Sequence, residues 1–470
     1  MKVKSVPNRW IYEDGLRLDC GPYMSGAMEA RKILEELSLP KSKLCELTAG
    51  HDGGIYNGPK FRRNYVESKE HGVPFLGSSS ILSADLSNLP LLSKKDAYSR
   101  KLSYLEVKEG MTLITCSGTI GRMAYARSDM EGMWSSQHML KVVPDRSKIL
   151  PGYLYAYLSS KFGVPLITSG TYGAIIQHIE PHHIAELPVP RFDAITEEEI
   201  HRLILQYSRA ISSFSHLMRE ATKKLFRLCD LKETDDFDWH LDKNHLGWGV
   251  KLVTSESLRS MNFDPRAESI IASIKSKNYS PLGSLCNPQW FKGKIFFKRI
   301  DADSEHGCIL LGQRNAFHMH PEGRCISVKS IDGLGLQVPP RTTLVPSHGT
   351  LGEHELYCRA LYVTESTSEY AFSGDFFRCI PDSKKIPPGY LFAFLRSRTA
   401  FRLLRSISIG GKQQEQHPEM MWRLPIPRLD ADTEEDIASL VDRAAASYDQ
   451  ALADNNRAQI LLEKAMREAV

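Results

Sequence analysis

Two stretches of this chain carry apolar residues at a spacing of three and four. The first is Ile200, Leu203, Ile204, Tyr207, Ile211, Phe214, Leu217, Ala221 and Leu225. The second is Ile437, Leu440, Val441, Ala444, Tyr448, Leu452 and Leu462. That period predicts two helices of roughly 33 residues, about 50 Å long at 1.5 Å per residue. Both stripes are narrow, so pairing as an antiparallel coiled coil is the natural way to bury them. Thr196 and Thr433 read as the N-caps, with Glu197–Glu199 on the positive end of the first dipole. Ahead of each long helix lies a shorter amphipathic one, PGYLYAYLSS from Pro151 and PGYLFAFLRS from Pro388, with proline in the first turn. Each is followed by a Gly/Ser loop, Thr168–Gly173 or Ser406–Gly411, and by an extended LPVP or LPIP. Upstream, Met28–Leu37 and Ala267–Ile274 have helical patterning. The Gly-rich, β-branched and aromatic regions between read as short strands and turns.

These elements recur because the chain repeats itself. Pro144–Asp193 and Pro381–Asp430 share 21 identities in 50 ungapped positions at a shift of 237. Glu70–Gly77 (EHGVPFLG) meets Glu305–Gly312 (EHGCILLG), and SGTIG at Ser117–Gly121 meets HGTLG at His348–Gly352. Arg17–Asp19 (RLD) is weakly matched by Asn262–Asp264 (NFD). A period near 237 residues is a domain-scale duplication, too long for a solenoid. The expected fold is α/β (mixed α+β): two duplicated domains separated by two long helices.

Length and charge sharpen this. At 470 residues, more than one core is expected. Residues 41–190 hold 17 Lys/Arg against 13 Asp/Glu, and residues 278–427 hold 18 against 13. The remainder holds 25 against 30. Two mildly basic blocks fit two separated contacts with a polyanion. Nine cysteines with no CxxC pair suggest free thiols in a reducing cytoplasm. No long apolar run or secretory leader is visible, so a cytoplasmic location is expected.

Catalytic motifs do not emerge. Asn287-Pro288-Gln289-Trp290 lacks the second proline of a DNA aminomethyltransferase loop, and a turn is the better reading. Gly410-Gly411-Lys412 lacks the upstream glycine and the following Ser/Thr of a phosphate cradle. Asp145 and Asp382, each after proline, read as turn formers and not as nuclease carboxylates. His182-His183 and His318-Met319-His320 have no partner at structural-zinc spacing, and no metal is expected. A Gly-x-Ser-x-Gly elbow is absent.

Binding chemistry remains. The first unit's loops carry Thr119, Arg122, Thr171, Tyr172, Gln177 and His178; the second unit's carry His348, Thr350, Ser408, Lys412, Gln413 and Gln414. Gln pairs with adenine and Arg or Lys with guanine in the major groove, while hydroxyls hold phosphates. Arg62, Arg63, Lys292, Lys294, Lys298 and Arg299 are candidate phosphate contacts. Gln177 and Gln414 align and so read as architectural. Residues that differ between units are the better base readers.

The PGYLYAYLSS–loop–LPVP series (Pro151–Pro190) and its partner PGYLFAFLRS–loop–LPIP (Pro388–Pro427) resemble the specificity (S) subunit of type I restriction–modification systems. The RLD-like openings suggest the closely similar S-like subunit of methylation-associated defence systems. The resemblance covers nearly the whole chain. It implies a first target-recognition domain with its lead-in (1–190), a first spacer helix (191–230), a linker and second lead-in (231–277), a second target-recognition domain (278–427) and a second spacer helix (428–470). It further implies a non-catalytic subunit that recognises a bipartite double-stranded DNA site in anti-phage defence. Such a subunit directs methyltransferase subunits, two per chain, and in some systems a restriction/translocase subunit. This chain would bind no cofactor; S-adenosylmethionine belongs to the methyltransferase partner, and no membrane contact is expected. The alternatives are a bipartite DNA-binding regulator without methylase partners and a self-contained DNA-modifying enzyme. Residues 229–260, with DDFDWHLDKNHLGWG, depart from the pattern; the sequence assigns them no role and leaves open an effect on spacer geometry or on a partner surface.

Overall fold

A computed structural model describes all residues except 1, 2, 14, 15, 17, 19, 170–177, 243–256, 288–295 and 470. The RLD opening and the Asn287–Trp290 turn therefore lie partly outside the described residues. The described helices of seven or more residues are, in chain order, α1 (Ala27–Glu36), α2 (Pro151–Leu158), α3 (Gly163–Ser169), α4 (Ala194–Leu228), α5 (Pro265–Lys275), α6 (Pro388–Leu395), α7 (Arg398–Ser406) and α8 (Ala431–Glu468). The strands are short, and the fold is mixed α/β, as the sequence pattern predicts. The chain forms two compact units. Unit one is Met1–Leu82, Leu89–Ser212 and Gln450–Val470; unit two is Ser83–Asn88 and Ser213–Asp449. Each long helix thus contributes one half to each unit.

Unit one holds two four-stranded sheets. One is antiparallel, in the order Ile55–Tyr56, Met139–Val142, Thr112–Thr115, Met123–Tyr125. The other runs Tyr65–Val66, Leu91–Ser93, Gly72–Leu76, Trp134–Ser135, its last pair parallel. Leu113, Ile114, Leu140, Tyr153 and Leu154 are buried, as are Ile200, Ile204 and Ile211 of α4 and Ala458, Leu462 and Met466 of α8. The C-terminal half of α8 is pinned by Gln459, whose amide donates to the Ala156 carbonyl at 3.2 Å, and by an ion pair from Glu463 to Lys161 at 2.5 Å.

Unit two repeats the plan. Gly307–Leu311 sits between Arg324–Ser327 and a parallel partner, Ala371–Phe372; Thr343–Pro346 sits between Leu361–Tyr362 and Phe376–Cys379. Its long-helix halves run antiparallel. Phe214 and Tyr448 rings lie 5.4 Å apart, and ten residues further along α4, Lys224 pairs with Asp436, earlier on α8. Numbers rise on one helix as they fall on the other. Phe214 and Leu217 pack on the unit-two core with Ile437, Val441 and Ala444.

The duplication is physical. Lys41–Lys43 pairs antiparallel with Pro188–Pro190, and Tyr279–Pro281 pairs the same way with Pro425–Pro427. The buried Tyr153 hydroxyl donates to the Pro190 carbonyl at 2.5 Å, and Tyr390 does so to Pro427 at 2.9 Å. In each PGY the glycine lets the long helix approach closely. A Cβ at Gly152 would stand 2.6 Å from His201 Nδ1, and one at Gly389 would stand 2.7 Å from the Ala438 carbonyl oxygen.

The expected caps need correction. Thr196 and Thr433 lie inside the first turn, and their hydroxyls donate to Asp193 (2.7 Å) and Asp430 (2.8 Å). Those aspartates accept the backbone N–H groups of Thr196 and Thr433 at 3.0 and 2.9 Å, and they are the capping residues. A carboxylate outcompetes a hydroxyl at a helix start because it carries full negative charge to the free amides. Glu197 and Glu434 close each cap from the other side. Each accepts a backbone N–H, Phe192 at 3.1 Å or Leu429 at 3.0 Å, and clasps Arg191 or Arg428.

Candidate nucleic-acid interface

In unit one the SGTIG loop joins Thr112–Thr115 to Met123–Tyr125. Gly118 and Gly121 have φ of +79° and +78°, which only glycine adopts cheaply. Thr115 Oγ1 donates to the Thr119 carbonyl at 2.6 Å and accepts from Arg122 N at 3.0 Å, fixing the turn. The loop's base is locked on both flanks: Cys116 N donates to the His138 carbonyl at 3.0 Å, and Ser117 forms a β-bridge with His178. These ladder contacts gather a polar, mostly basic cluster. Arg63 Nη2 donates to Gln137 Oε1 at 3.1 Å, and the Gln137 amide meets His138 Nε2 at 3.2 Å. Burial, then Arg63, His178 and Lys60, hold the His138 imidazole pKa below its ordinary value. Glu180 counterbalances the cluster, with His178 Nε2 at 2.8 Å and Asn57 Nδ2 at 3.1 Å from its carboxylate oxygens.

Of the residues expected in unit one, Arg63 and His178 enter this cluster. Thr119 is exposed at the loop tip, Arg62 is exposed, and Arg122 is half-buried. Thr171, Tyr172 and Gln177 lie outside the described residues. Lys60, Asn57, Gln137 and His138 were not singled out by the sequence. The signal that finds them is the repeat. Gln137 and His138 follow the parallel-paired strand Trp134–Ser135, just as Gly374 and Asp375 follow Ala371–Phe372.

Unit two carries different chemistry on the same frame. His348 pairs with Glu415 in the ladder, the counterpart of the Ser117–His178 bridge. Its Nδ1 lies 3.6 Å from Asp375 and its Nε2 lies 3.6 Å from Glu415, with the Ser347 hydroxyl 2.9 Å from Nδ1. Where unit one has His138 and His178, unit two has Asp375 and Glu415. Ser408–Gly410 and Gln414–Gln416 form a hairpin whose tip exposes Lys412 and Gln413. Gly410 takes φ +97° to make that turn. Arg259 Nη1 donates to the Gly410 carbonyl at 2.8 Å, and the Asn262 amide donates to Ser406 at 2.6 Å, so the NFD lead-in holds the hairpin in place.

Thr350, Lys298 and Arg299 are exposed, with Arg299 5.5 Å from the Phe297 ring centre. Lys292 and Lys294 lie outside the described residues. Ser408 is buried with its hydroxyl 2.8 Å from Tyr357 OH, and Gln414 is buried with its amide donating to the Gly411 carbonyl. Both build the hairpin. Among the described residues no group of three or more His, Cys, Asp or Glu is arranged to hold a metal ion, and no helix is long and apolar enough to cross a membrane.

No family model matches the chain, and no curated protein does. Among solved structures it is similar to the type I restriction–modification S subunit from M. genitalium, at 12% identity over 92% of this chain and 96% of that one, with a TM-score of 0.35. It is also similar to the HsdS subunit from Thermoanaerobacter tengcongensis, at 13% identity over 92% and 97%, with a TM-score of 0.28.

Proposed function

We propose that this chain is the non-catalytic DNA-specificity subunit of a type I restriction–modification or related methylation-associated complex. Each unit reads one half of a bipartite duplex site. The observation that carries this is one scaffold built twice with different groups at matched positions: His138 and His178 in unit one, Asp375 and Glu415 in unit two. A duplicated enzyme keeps its reacting groups in both copies. A duplicated reader keeps the backbone and changes the groups that meet the ligand. Carboxylates accept from the cytosine N4 amino group, whereas arginine and lysine donate to guanine. Exposed Arg62, Lys298 and Thr350 suit phosphates, which set position and contribute most of the salt-dependent affinity. Docked methyltransferase subunits supply S-adenosylmethionine and methyl transfer, and a restriction subunit adds cleavage.

The test is reconstitution with the methyltransferase that co-purifies with the chain. Methyl transfer to duplex DNA should require both proteins. Transfer by this chain alone, or unchanged site choice by the methyltransferase without it, overturns the proposal.

A further inference from the structure

Of the stretch after α4, residues 229–260, Arg259 holds the unit-two hairpin, 243–256 lie outside the described residues, and 229–242 have no part in the specificity reading. The described part includes a short helix, Asp236–Leu241, capped by Asp235, and none of its residues is buried. It rests on the arginine-rich face of α7. Asp236 pairs with Arg398 and, at 2.8 Å, with Arg402. The Trp239 ring centre lies 4.1 Å from the Arg266 guanidinium and 5.0 Å from that of Arg402. Glu233 accepts from the Arg398 backbone N–H at 3.0 Å.

Beneath this strap lies an unusual concentration of cation. The guanidiniums of Arg359, Arg398, Arg402 and Arg405 stand 3.6, 5.0, 5.4 and 4.0 Å from the Phe401 ring centre. Glu353 holds Arg402 through both oxygens, at 2.8 and 2.7 Å. Among the described residues, the terminal nitrogens of Arg405 donate to the carbonyls of Leu351 and Gly352, at 2.5 and 2.8 Å. Arg402 Nε and Arg405 Nε are buried and find no acceptor among the described residues. Burial, together with repulsion from neighbouring arginines, pulls the Arg359 and Arg398 pKa values down to about 9. The four guanidiniums have Asp236 and Glu353 as direct partners, and Glu233, Asp235 and Asp85 are further carboxylates that act on them.

We propose that this arginine pocket binds a phosphate-bearing anion, and that Asp236 on its short helix fills the pocket until that anion displaces it. Guanidinium forks match phosphate oxygens, and a carboxylate is the nearest protein substitute for them. The strap is held by ion pairs from the partly exposed Asp236 to the nearly buried Arg398 and Arg402. It is also held by hydrogen bonds from Thr234 N to Thr399 Oγ1 at 2.8 Å and from Arg266 to the Trp239 carbonyl at 3.0 Å. Displacement therefore requires an anion that replaces the Asp236 carboxylate on the same guanidiniums. Anion binding by the pocket does not rest on the specificity reading, although Arg405 also braces the His348–Gly352 loop through the Leu351 and Gly352 carbonyls. Its chemistry is shared by a nucleic-acid backbone and by small phosphate compounds.

Calorimetric titration of the full chain with inorganic pyrophosphate tests this, with a short DNA duplex as competitor. Asp236→Asn should tighten pyrophosphate binding about tenfold, because it removes the competing charge. Asp238→Asn should leave it unchanged, since Asp238 pairs instead with Lys232 at 2.6 Å. Arg398→Gln should weaken binding at least about tenfold, as loss of a charged partner does. Competition by the duplex assigns the pocket to a nucleic-acid backbone, and absence of competition assigns it to small phosphate compounds. No tightening in D236N, or equal tightening in D238N, overturns the proposal. If R398Q loses the fold, the two aspartate variants still decide.

Discussion

Lys141 and Arg378 stand at the same position, 237 residues apart, both fully buried on the matched strands Met139–Val142 and Phe376–Cys379. Arg378 donates to the carbonyls of Phe376, Phe372 and Ser373 at 2.9, 2.8 and 3.1 Å. The Lys141 amine finds no hydrogen-bond partner among the described residues and lies 5.3 Å from the Tyr56 ring centre. The longer, forked guanidinium reaches carbonyls that a single ammonium misses.

Burial pulls the Lys141 pKa from 10.5 down to about 7. Between those values the unfolded chain binds a proton that the native chain does not, so stability rises with pH across that window. Below about pH 7 both states are protonated, and the native state bears the full penalty. Lys141→Met should raise the thermal midpoint at pH 7 and flatten its rise between pH 7 and 10. Scanning calorimetry over that range checks both; an unchanged slope contradicts the assignment.

Gly389→Ala should destabilise unit two by about 1–3 kcal/mol, because the new methyl meets the α8 backbone and not a movable side chain. A Cβ at Gly312 meets nothing within 4 Å, so Gly312→Ala is the control and should cost far less. Paired urea titrations measure the difference.

Glu434→Ala should cost about 3 kcal/mol, since it leaves Arg428 and the Leu429 amide without their buried carboxylate. Glu197→Ala should cost less. Its partner Arg191 is 29% exposed, against 18% for Arg428, and water compensates it better. Equal losses would show that exposure of the arginine does not set the cost.

The parts of the fold that depend on one local period were legible in the sequence. The stripes of α4 and α8, the PGY helices and the repeat itself are of that kind. Contacts between residues far apart in sequence were not. Asp236 reaches Arg402 across 166 residues, and Gln137 and His138 join the basic cluster only because a parallel strand pair brings them beside Ser117 and His178. The caps were misread for a different reason. Asp193 and Thr196 both fit a helix start, and only the carboxylate's charge decides between them. Ser408 looked like a reader because a Gly-rich loop hides which of its polar groups point inward, whereas the alignment of Gln414 with Gln177 already marked Gln414 as architectural.

His138→Asp with His178→Glu gives unit one the acidic pair of unit two. Base reading in the first half-site should change while affinity for the second half is kept, each lost bidentate contact costing about 1–3 kcal/mol of discrimination. Binding selections with randomised half-sites measure this. A change in both halves would mean that the positions act through the shared scaffold.

The most direct measurement maps methylated sites by single-molecule sequencing in cells carrying the partner methyltransferase with either the wild-type chain or Lys412→Ala/Gln413→Ala. If each unit reads one half-site as proposed, the wild type should give two short motifs at one fixed spacing. The double variant, altered only at the exposed hairpin tip of unit two, should relax the second motif and leave the first intact. A single continuous motif, or equal relaxation of both halves, would contradict reading by two separate units.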